Sequence, residues 1–226
     1  MQSPHLKTVV DSLLEEYGTP AVPPTTDPFE LILYENVAYL VDDERRLQAF
    51  ENLRRVVGLR PEDILSAPAE QFKSVAELAG SNKQGQIAKL IRSAQIVRNE
   101  FNGDLSQVLK FPIKKAISAI KKFPSIGEPG AEKILLFTGT VAVLALESNG
   151  LRVLVRIGFS KEQNNYAAMY RAVQTAVADQ FPDDADWLIA AYQSLRRHGQ
   201  NICKRTRPMC AQCVIGPMCN YGKGQI

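Results

Sequence analysis

The sequence predicts an all-α protein, and three observations lead to this prediction. Four segments carry apolar residues at the i, i+3, i+4 and i+7 spacing of an amphipathic helix: 6–18, 27–41, 44–58 and 86–101. Glycine or proline separates these segments, as at Gly18, Gly58 and Pro61. The alternating pattern of a half-buried strand appears only in the ambiguous stretch 151–159. We therefore expect helices throughout the chain.

The boundary between the first and second helices is the clearest one in the sequence. Residues 17–27 are rich in proline and threonine, which predicts an irregular crossing segment. Thr26 and Asp27 offer a helix N-cap, and Pro28 follows in the first turn, where proline is well tolerated. The second helix should therefore begin at Pro28.

The composition is that of an ordinary folded protein, with 226 residues of which 45% are apolar and 23% are charged. The N-terminal stretch lacks the basic start and apolar run of a signal peptide, and no stretch approaches the roughly 20 apolar residues of a membrane helix. We expect a monomer in the cytoplasm, associated with the nucleoid and with no membrane.

Positive charge is concentrated in two stretches of a chain whose net charge is only +3. Residues 105–127 contain five lysines and no acid, and residues 198–226 are also free of acids. The basic residues of the second stretch are Lys204, Arg205, Arg207 and Lys223. Two such stretches indicate a polyanionic partner, whereas either one alone is equally typical of a solvated charged face.

All four cysteines lie near the C-terminus, with the spacing C-x6-C-x2-C-x5-C. They are Cys203, Cys210, Cys213 and Cys219. Four thiolates on a short looped segment suit an iron–sulfur cluster, and they suit a tetrahedral zinc ion as well. Two disulfide bonds are a further interpretation, although cysteines confined to one loop would be poor staples for a cytosolic helical protein. The spacing favours a metal site and leaves the metal open.

This spacing, preceded by His198 and Gly199, resembles the cluster loop of endonuclease III and its relatives among the helix-hairpin-helix DNA glycosylases. The resemblance implies that the four cysteines hold a [4Fe–4S] cluster. It also implies that Lys204, Arg205 and Arg207, between the first two cysteines, contact DNA phosphates. Such contacts supply affinity that is independent of base sequence and sensitive to salt.

Residues 123–127 read Phe-Pro-Ser-Ile-Gly and resemble the hairpin of the same superfamily, which usually reads Leu-Pro-Gly-x-Gly. Gly127 matches that pattern, and Ser125 stands where the first glycine is usual. Glycine allows a tight turn with positive φ, and the N–H groups that begin the next helix can bind a phosphate. We expect Ser125 and Gly127 to contact DNA, with serine weakening the contact. An ordinary connector between helices is the alternative.

The resemblance also includes residues 28–31, which are similar to the start of the family's second helix, and it covers nearly the whole chain. It implies two helical domains with a DNA-binding cleft between them. One is a six-helix domain, residues 23–141, that contains the helix-hairpin-helix. The other is discontinuous, residues 1–22 and 142–226, and carries the cluster loop 203–219.

Two catalytic positions depart from the family pattern. Bifunctional members use a lysine after the hairpin whose amine attacks the sugar, and Pro129 occupies that position here. Lys133 lies about one helical turn further on, and a solvent-facing lysine is its ordinary interpretation. The family's catalytic aspartate, which stabilises positive charge on the sugar, is matched by Glu147, with Arg152 and Val153 in register. A helix cap or surface acid is the alternative for Glu147.

Glu35 lies in an apolar helical run and matches the glutamate that protonates the departing base in the adenine-excising branch of the superfamily. A carboxyl in a partly apolar pocket suits that role, and a partly exposed helical glutamate is the alternative. Tyr34, Asn36 and Tyr39 are polar and aromatic groups suited to holding a flipped base. Leu40 matches the residue that endonuclease III inserts into the base stack, where an apolar wedge also serves.

These matches predict a base-excision-repair DNA glycosylase that acts on double-stranded DNA with a flipped base. We expect monofunctional hydrolysis, with Glu35 as the acid and Glu147 as the electrostatic stabiliser of the sugar cation. A DNA-binding paralogue without catalysis is one alternative, because both Pro129 and Glu147 depart from the pattern. A bifunctional glycosylase and abasic-site lyase that uses a displaced lysine is another.

Overall fold

The computed structural model describes residues 4–21 and 23–224, and these residues form twelve α-helices and no strand. In chain order the helices are α1 (Leu6–Tyr17), α2 (Pro28–Asn36), α3 (Asp43–Val56), α4 (Pro61–Ser66), α5 (Phe72–Leu78), α6 (Lys83–Glu100), α7 (Ile113–Ile120), α8 (Glu128–Phe137), α9 (Ser148–Ile157), α10 (Tyr166–Val177), α11 (Ala185–Asn201) and α12 (Asn220–Lys223). The all-α prediction is confirmed, and most of the ambiguous stretch 151–159 lies in α9. No described helix is both long and apolar enough to span a membrane.

Contacts divide the chain into two units, one formed by residues 23–141 and one formed by 1–22 with 142–226. Residues 1–3, 22, 225 and 226 belong to the expected second domain but lie outside the described residues. The unit 23–141 contains the seven helices α2 to α8, one more than the six expected, because the short α4 and α5 are separate helices.

Helix α2 is the apolar centre of the unit 23–141. The Asp27 carboxylate caps it by accepting hydrogen bonds from the N–H groups of Phe29 and Glu30, each at 2.9 Å, so the predicted boundary at Pro28 is confirmed. Leu31, Ile32 and other apolar residues of α2 are buried, and the helix packs against α3, α6 and α8. Because α2 is covered on several sides, any polar side chain on it needs a partner within the unit.

In the other unit, α11 packs against α1 and α9, while α10 and α12 pack on α9. The crossing of α11 with α9 depends on glycine. A Cβ atom at Gly199 would stand 2.6 Å from the carbonyl oxygen of Asn149, so the two helices approach closely at this point. The crossing places the end of α11 beside the start of α9, and the cysteine loop begins directly after α11.

We predict that Gly199→Ala lowers the free energy of unfolding, although alanine is the better helix former by about 1 kcal/mol. The added methyl group would collide with the backbone of α9, and overpacking of this kind typically costs about 1–3 kcal/mol. Chemical denaturation monitored by circular dichroism measures the difference.

Gly150→Ala at the same crossing is the matched control. Its Cβ would make an ordinary contact, 3.5 Å from Leu195 Cβ, so we expect stability to be unchanged or raised by up to about 1 kcal/mol. Equal effects of the two substitutions would contradict a close approach at Gly199.

Candidate functional site

Glu35 on α2 and Lys133 on α8 form an ion pair inside the unit 23–141. The Lys133 Nζ atom lies 2.5 Å from Glu35 Oε2, and the two side chains are only 11% and 21% exposed. The interpretation of Lys133 as a solvent-facing lysine is therefore wrong. All residues of α8 from Ala131 to Phe137 are buried, so a lysine at this position needs an opposite charge beside it.

The hairpin before α8 is held to α2 by Asn36. The Asn36 side chain is buried, and its Nδ2 donates to the carbonyl of Pro124 and to that of Ile32, each at 3.1 Å. Asn36 therefore anchors the hairpin, and its predicted role in holding a base is not supported by this placement. Tyr34 also contacts a residue of its own unit: its ring packs edge-on against Phe50, with ring centroids 5.4 Å apart.

The hairpin adopts left-handed backbone geometry at Ser125, whose φ is 61°, while Gly127 has a φ of −89°. The positive φ of the turn therefore falls on a serine. Gly127 is the N-cap of α8 and provides no side-chain cap, and Pro129 lies in the first turn. The first N–H groups of α8 are consequently without a side-chain partner, which suits a phosphate oxygen.

Leu40 is displayed on the loop between α2 and α3. Its side chain is 77% exposed and its φ is 56°, an uncommon backbone conformation for leucine. The base of this loop is fixed, because the N–H of Tyr39 donates to the carbonyl of Ala79 at 2.9 Å and Tyr39 forms a bridge with Gly80. A large apolar side chain on a loop with a fixed base has the form that a base-stack wedge requires.

Glu147 is the N-cap of α9. Its Oε1 accepts hydrogen bonds from the N–H groups of Asn149 and Gly150, each at 2.8 Å, and its Oε2 accepts one from Asn149 Nδ2 at 2.8 Å. The capping alternative is therefore present in the structure. The carboxylate is also held in a fixed orientation, which a group that stabilises a developing cation needs. Burial raises the pKa of Tyr166 to about 12, with the charge of Glu147 as a second cause.

The cysteine loop is tied to α9 by two arginines. Arg152 donates from Nε to the carbonyl of Cys203 at 2.9 Å and from Nη2 to that of Gly199 at 2.7 Å, and burial lowers its pKa. Arg156 donates to the carbonyls of Lys204 and Arg205 at 2.8 and 3.0 Å. These bonds hold the backbone of the basic loop, and its side chains Lys204, Arg205 and Arg207 are exposed.

The four cysteines line one small cavity and none of them forms a disulfide bond. Among the residues that the structure describes, no group of three His, Cys, Asp or Glu side chains is arranged so that it could hold a metal ion. N–H donors nevertheless point at the sulfurs: Arg156 Nη1 lies 3.4 Å from Cys203 Sγ, and the Gly222 N–H lies 3.4 Å from Cys219 Sγ. Four thiols around one cavity, with donors that favour thiolates, fit a thiolate-binding metal group.

Two pKa shifts accompany this cavity. Burial raises the pKa of the Cys213 thiol to about 11, so this sulfur loses its proton only where positive charge, such as that of a metal, compensates for burial. Burial lowers the pKa of His198 to about 4, so its ring is neutral near physiological pH. A ring nitrogen of His198 lies 3.4 Å from Cys213 Sγ.

Ser125→Gly should raise the free energy of unfolding by about 0.5–1 kcal/mol. The left-handed conformation costs an L-residue about 1–2 kcal/mol, and the greater freedom of glycine in the unfolded chain offsets roughly 0.4–1 kcal/mol of the gain. Thermal unfolding measures the change. Ser125→Ala keeps the strained backbone and should bring no gain, so stabilisation by both substitutions would rule out backbone strain as the cause.

Curated proteins named endonuclease III are similar to this chain in sequence. The Sulfolobus acidocaldarius protein is 24% identical over 198 residues, which cover 87% of this chain and 83% of the relative. The Escherichia coli K12 protein is 23% identical over 203 residues, or 88% of each chain. The Rickettsia prowazekii protein is 31% identical over a shorter stretch of 100 residues, 44% of each chain. No protein-family model matches the sequence.

Solved structures share the fold. A non-covalent endonuclease III–DNA complex superposes with a TM-score of 0.74 at 18% identity, covering 97% of this chain and 96% of that one. A thermostable thymine-DNA glycosylase superposes with a TM-score of 0.73 at 19% identity, covering 97% of both chains. At such low identities the likeness establishes the fold alone. Together with the sequence similarity it confirms the predicted resemblance: over most of its length this chain is similar to endonuclease III.

Proposed function

We propose that this protein is a base-excision-repair DNA glycosylase that is monofunctional and hydrolyses the N-glycosidic bond of a flipped base. The observation that carries the proposal is the shielded pair of Glu35 and Lys133, placed on α2 and on the helix that begins at the hairpin. A carboxyl group that is largely kept from water and fixed in position by an ion pair can transfer a proton to a base placed beside it. The relatives named endonuclease III support the same reaction class.

In the proposed reaction the C1′–N bond breaks, its electron pair goes to the base, and Glu35 supplies the proton that the base takes up. The Lys133 ammonium, 2.5 Å from Glu35 Oε2, holds that side chain in place. The negative charge of Glu147 stabilises the sugar cation until water attacks C1′, and the proton that this water gives up returns to Glu35. Pro129 has no nucleophile, so no covalent intermediate forms at the usual lysine position.

DNA binding is assigned to three features. The uncapped N-terminus of α8, with Ser125 and Gly127 before it, accepts a phosphate. The exposed cations Lys204, Arg205 and Arg207 bind further phosphates, and Leu40 enters the base stack of double-stranded DNA when a base is flipped. We place this activity in the cytoplasm, on the nucleoid, and assign it to the monomer.

The cofactor proposed is a [4Fe–4S] cluster held by Cys203, Cys210, Cys213 and Cys219, the residues around one cavity. When bound, such a cluster cross-links the four thiolates and makes the loop that carries them rigid. The protein's own contribution is the hydrogen bonding from Arg152 and Arg156 that fixes the backbone of the basic loop. The cations between the first two cysteines are thereby presented to DNA from a rigid support.

Glu35→Gln should reduce base excision by at least about 100-fold, since an amide cannot supply the proton. Single-turnover assays use duplexes with oxidised, alkylated, deaminated or mismatched bases, each read with and without hot alkali. Breaks that appear only after alkali indicate a monofunctional glycosylase. Glu30→Gln on the same helix is the matched control, because Glu30 forms a more exposed ion pair with Arg54, and it should leave excision unchanged.

An unchanged excision rate for Glu35→Gln would contradict the assignment of Glu35 as the acid. Tight binding with no product on any duplex would favour the DNA-binding paralogue without catalysis. Circular dichroism and unfolding midpoints show whether each variant is folded, so that loss of activity is not confused with loss of structure.

The contact between Glu35 and Lys133 also favours a second candidate function. The Glu35 carboxylate is placed to take a proton from the Lys133 ammonium, which leaves a neutral amine that can attack C1′. The new N–C1′ bond forms as the C1′–base bond breaks, and the base leaves with that electron pair and takes up the proton held by Glu35. The amine then gives a proton to O4′ as the C1′–O4′ bond opens, and the resulting Schiff base permits strand cleavage. Lys133 would thus act as the displaced lysine of a bifunctional glycosylase and lyase.

Borohydride trapping with Lys133→Arg distinguishes the two functions. Arginine retains the positive charge beside Glu35 but forms no Schiff base, so it is matched to the wild type in charge. The monofunctional proposal predicts no trapped protein–DNA adduct with either protein, and excision that persists in the variant. An adduct with the wild-type protein that disappears in Lys133→Arg would establish the bifunctional alternative.

A further inference from the structure

His198 lies between a tyrosine of the first helix and one of the four cysteines. Its Nδ1 atom is 2.7 Å from the hydroxyl oxygen of Tyr17, and its Nε2 atom is 3.4 Å from Cys213 Sγ. The His198 side chain is fully buried, with 0% exposure. Tyr17 is 181 positions away in sequence, so these contacts connect the end of α1 to the cysteine loop.

The two contacts together determine which ring nitrogen carries the proton. A metal-bound Cys213 is a thiolate, which accepts hydrogen bonds and donates none. The nitrogen that faces it, Nε2, must therefore bear the hydrogen. In the neutral ring Nδ1 is then an acceptor, and Tyr17 is the group placed to donate to it through its O–H.

Tyr17 is itself held in place from α11. The Arg197 guanidinium lies over the Tyr17 ring, 4.8 Å from its centroid, and donates to the Tyr17 carbonyl at 3.1 Å. One helical turn earlier, Gln193 donates to the carbonyl of Ala21 at 2.6 Å. Residues 193, 197 and 198 thus fix the end of α1 and the segment after it, and the Tyr17 hydroxyl has little freedom to leave Nδ1.

We propose that Tyr17 is a positioning residue that fixes His198 as a hydrogen-bond donor to the Cys213 sulfur and thereby sets the reduction potential of the cluster. This inference rests on the [4Fe–4S] cluster proposed above for the four cysteines. An N–H donor to a ligating sulfur stabilises the more negative, reduced state of a cluster, so it raises the potential. Loss of the Tyr17 hydroxyl leaves Nδ1 without this partner and the ring without its fixed orientation, which weakens the N–H···S bond to Cys213.

The test is the midpoint potential of the cluster-loaded full chain, measured by voltammetry for Tyr17→Phe, His198→Phe and the double variant. We expect both single variants to shift the potential to lower values. The double variant should match His198→Phe alone, because Tyr17 acts only through the imidazole. His198→Gln can keep an N–H donor near the Nε2 position, and it should restore much of the potential and be insensitive to Tyr17→Phe.

Tyr221→Phe is the matched control. Tyr221 lines the same cavity, and its ring lies under the Arg156 guanidinium at 4.5 Å from the centroid, whereas the hydroxyl beside His198 Nδ1 belongs to Tyr17. This variant loses a tyrosine hydroxyl close to the cysteines and should leave the potential unchanged.

Nitrogen-15 NMR of histidine-labelled protein reads the tautomer directly, and the chain has only two histidines, so His5→Gln assigns the spectrum. We expect a protonated Nε2 and an unprotonated Nδ1 at His198 in the wild type. A potential unaffected by Tyr17→Phe in a protein with full iron content, or a wild-type His198 without a proton on Nε2, would overturn the inference. A wild-type protein that takes up no iron and shows no visible absorption would instead overturn the cofactor proposal on which the inference rests.

Discussion

A charged side chain is stable inside a protein only when an opposite charge lies beside it, and this constraint joins α2 to α8 through Glu35 and Lys133. Both helices are covered by apolar neighbours, so neither charge is fully solvated. The pairing has a structural consequence, because α8 begins at the hairpin and Asn36 of α2 holds that hairpin through the Pro124 carbonyl. The same two helices therefore carry the proposed acid and the proposed phosphate site.

In the proposed function, this pair is the reactive centre of a protein that has proline at the position of the usual lysine. Pro129 removes the nucleophile from the first turn of α8, yet a lysine one turn later reaches a carboxylate on α2. The route of one proton distinguishes the two proposed reactions: transfer from the Glu35 carboxyl to the departing base leads to hydrolysis, whereas transfer from Lys133 to Glu35 leaves a nucleophilic amine.

In the unit that contains the cysteines, side chains distant in sequence converge on one loop. Arg152 and Arg156 from α9 hold its backbone, and His198 from α11 reaches Cys213 with Tyr17 of α1 behind it. Such supporting groups orient metal ligands and tune the electronic properties of the bound group. The loop is therefore connected to the first, ninth and eleventh helices, and its properties depend on all three.

Much of the protein was predictable from sequence, because the features concerned are local. Helical periodicity, the Asp27 N-cap, Pro129 in the first turn of α8 and the four cysteine positions depend on neighbouring residues along the chain. The structure alone decided which side chains meet: the contact of Lys133 with Glu35, the use of Asn36 as a hairpin anchor and the link from Tyr17 to Cys213. Asn36 and Pro124 are 88 positions apart in sequence, and Tyr17 and His198 are 181 positions apart. No periodic pattern in the sequence encodes contacts between such distant residues. Sequence by itself thus determined the helices and the positions of the four cysteines. The burial and pairing of charges depend on how helices pack, so they were decided by the tertiary structure.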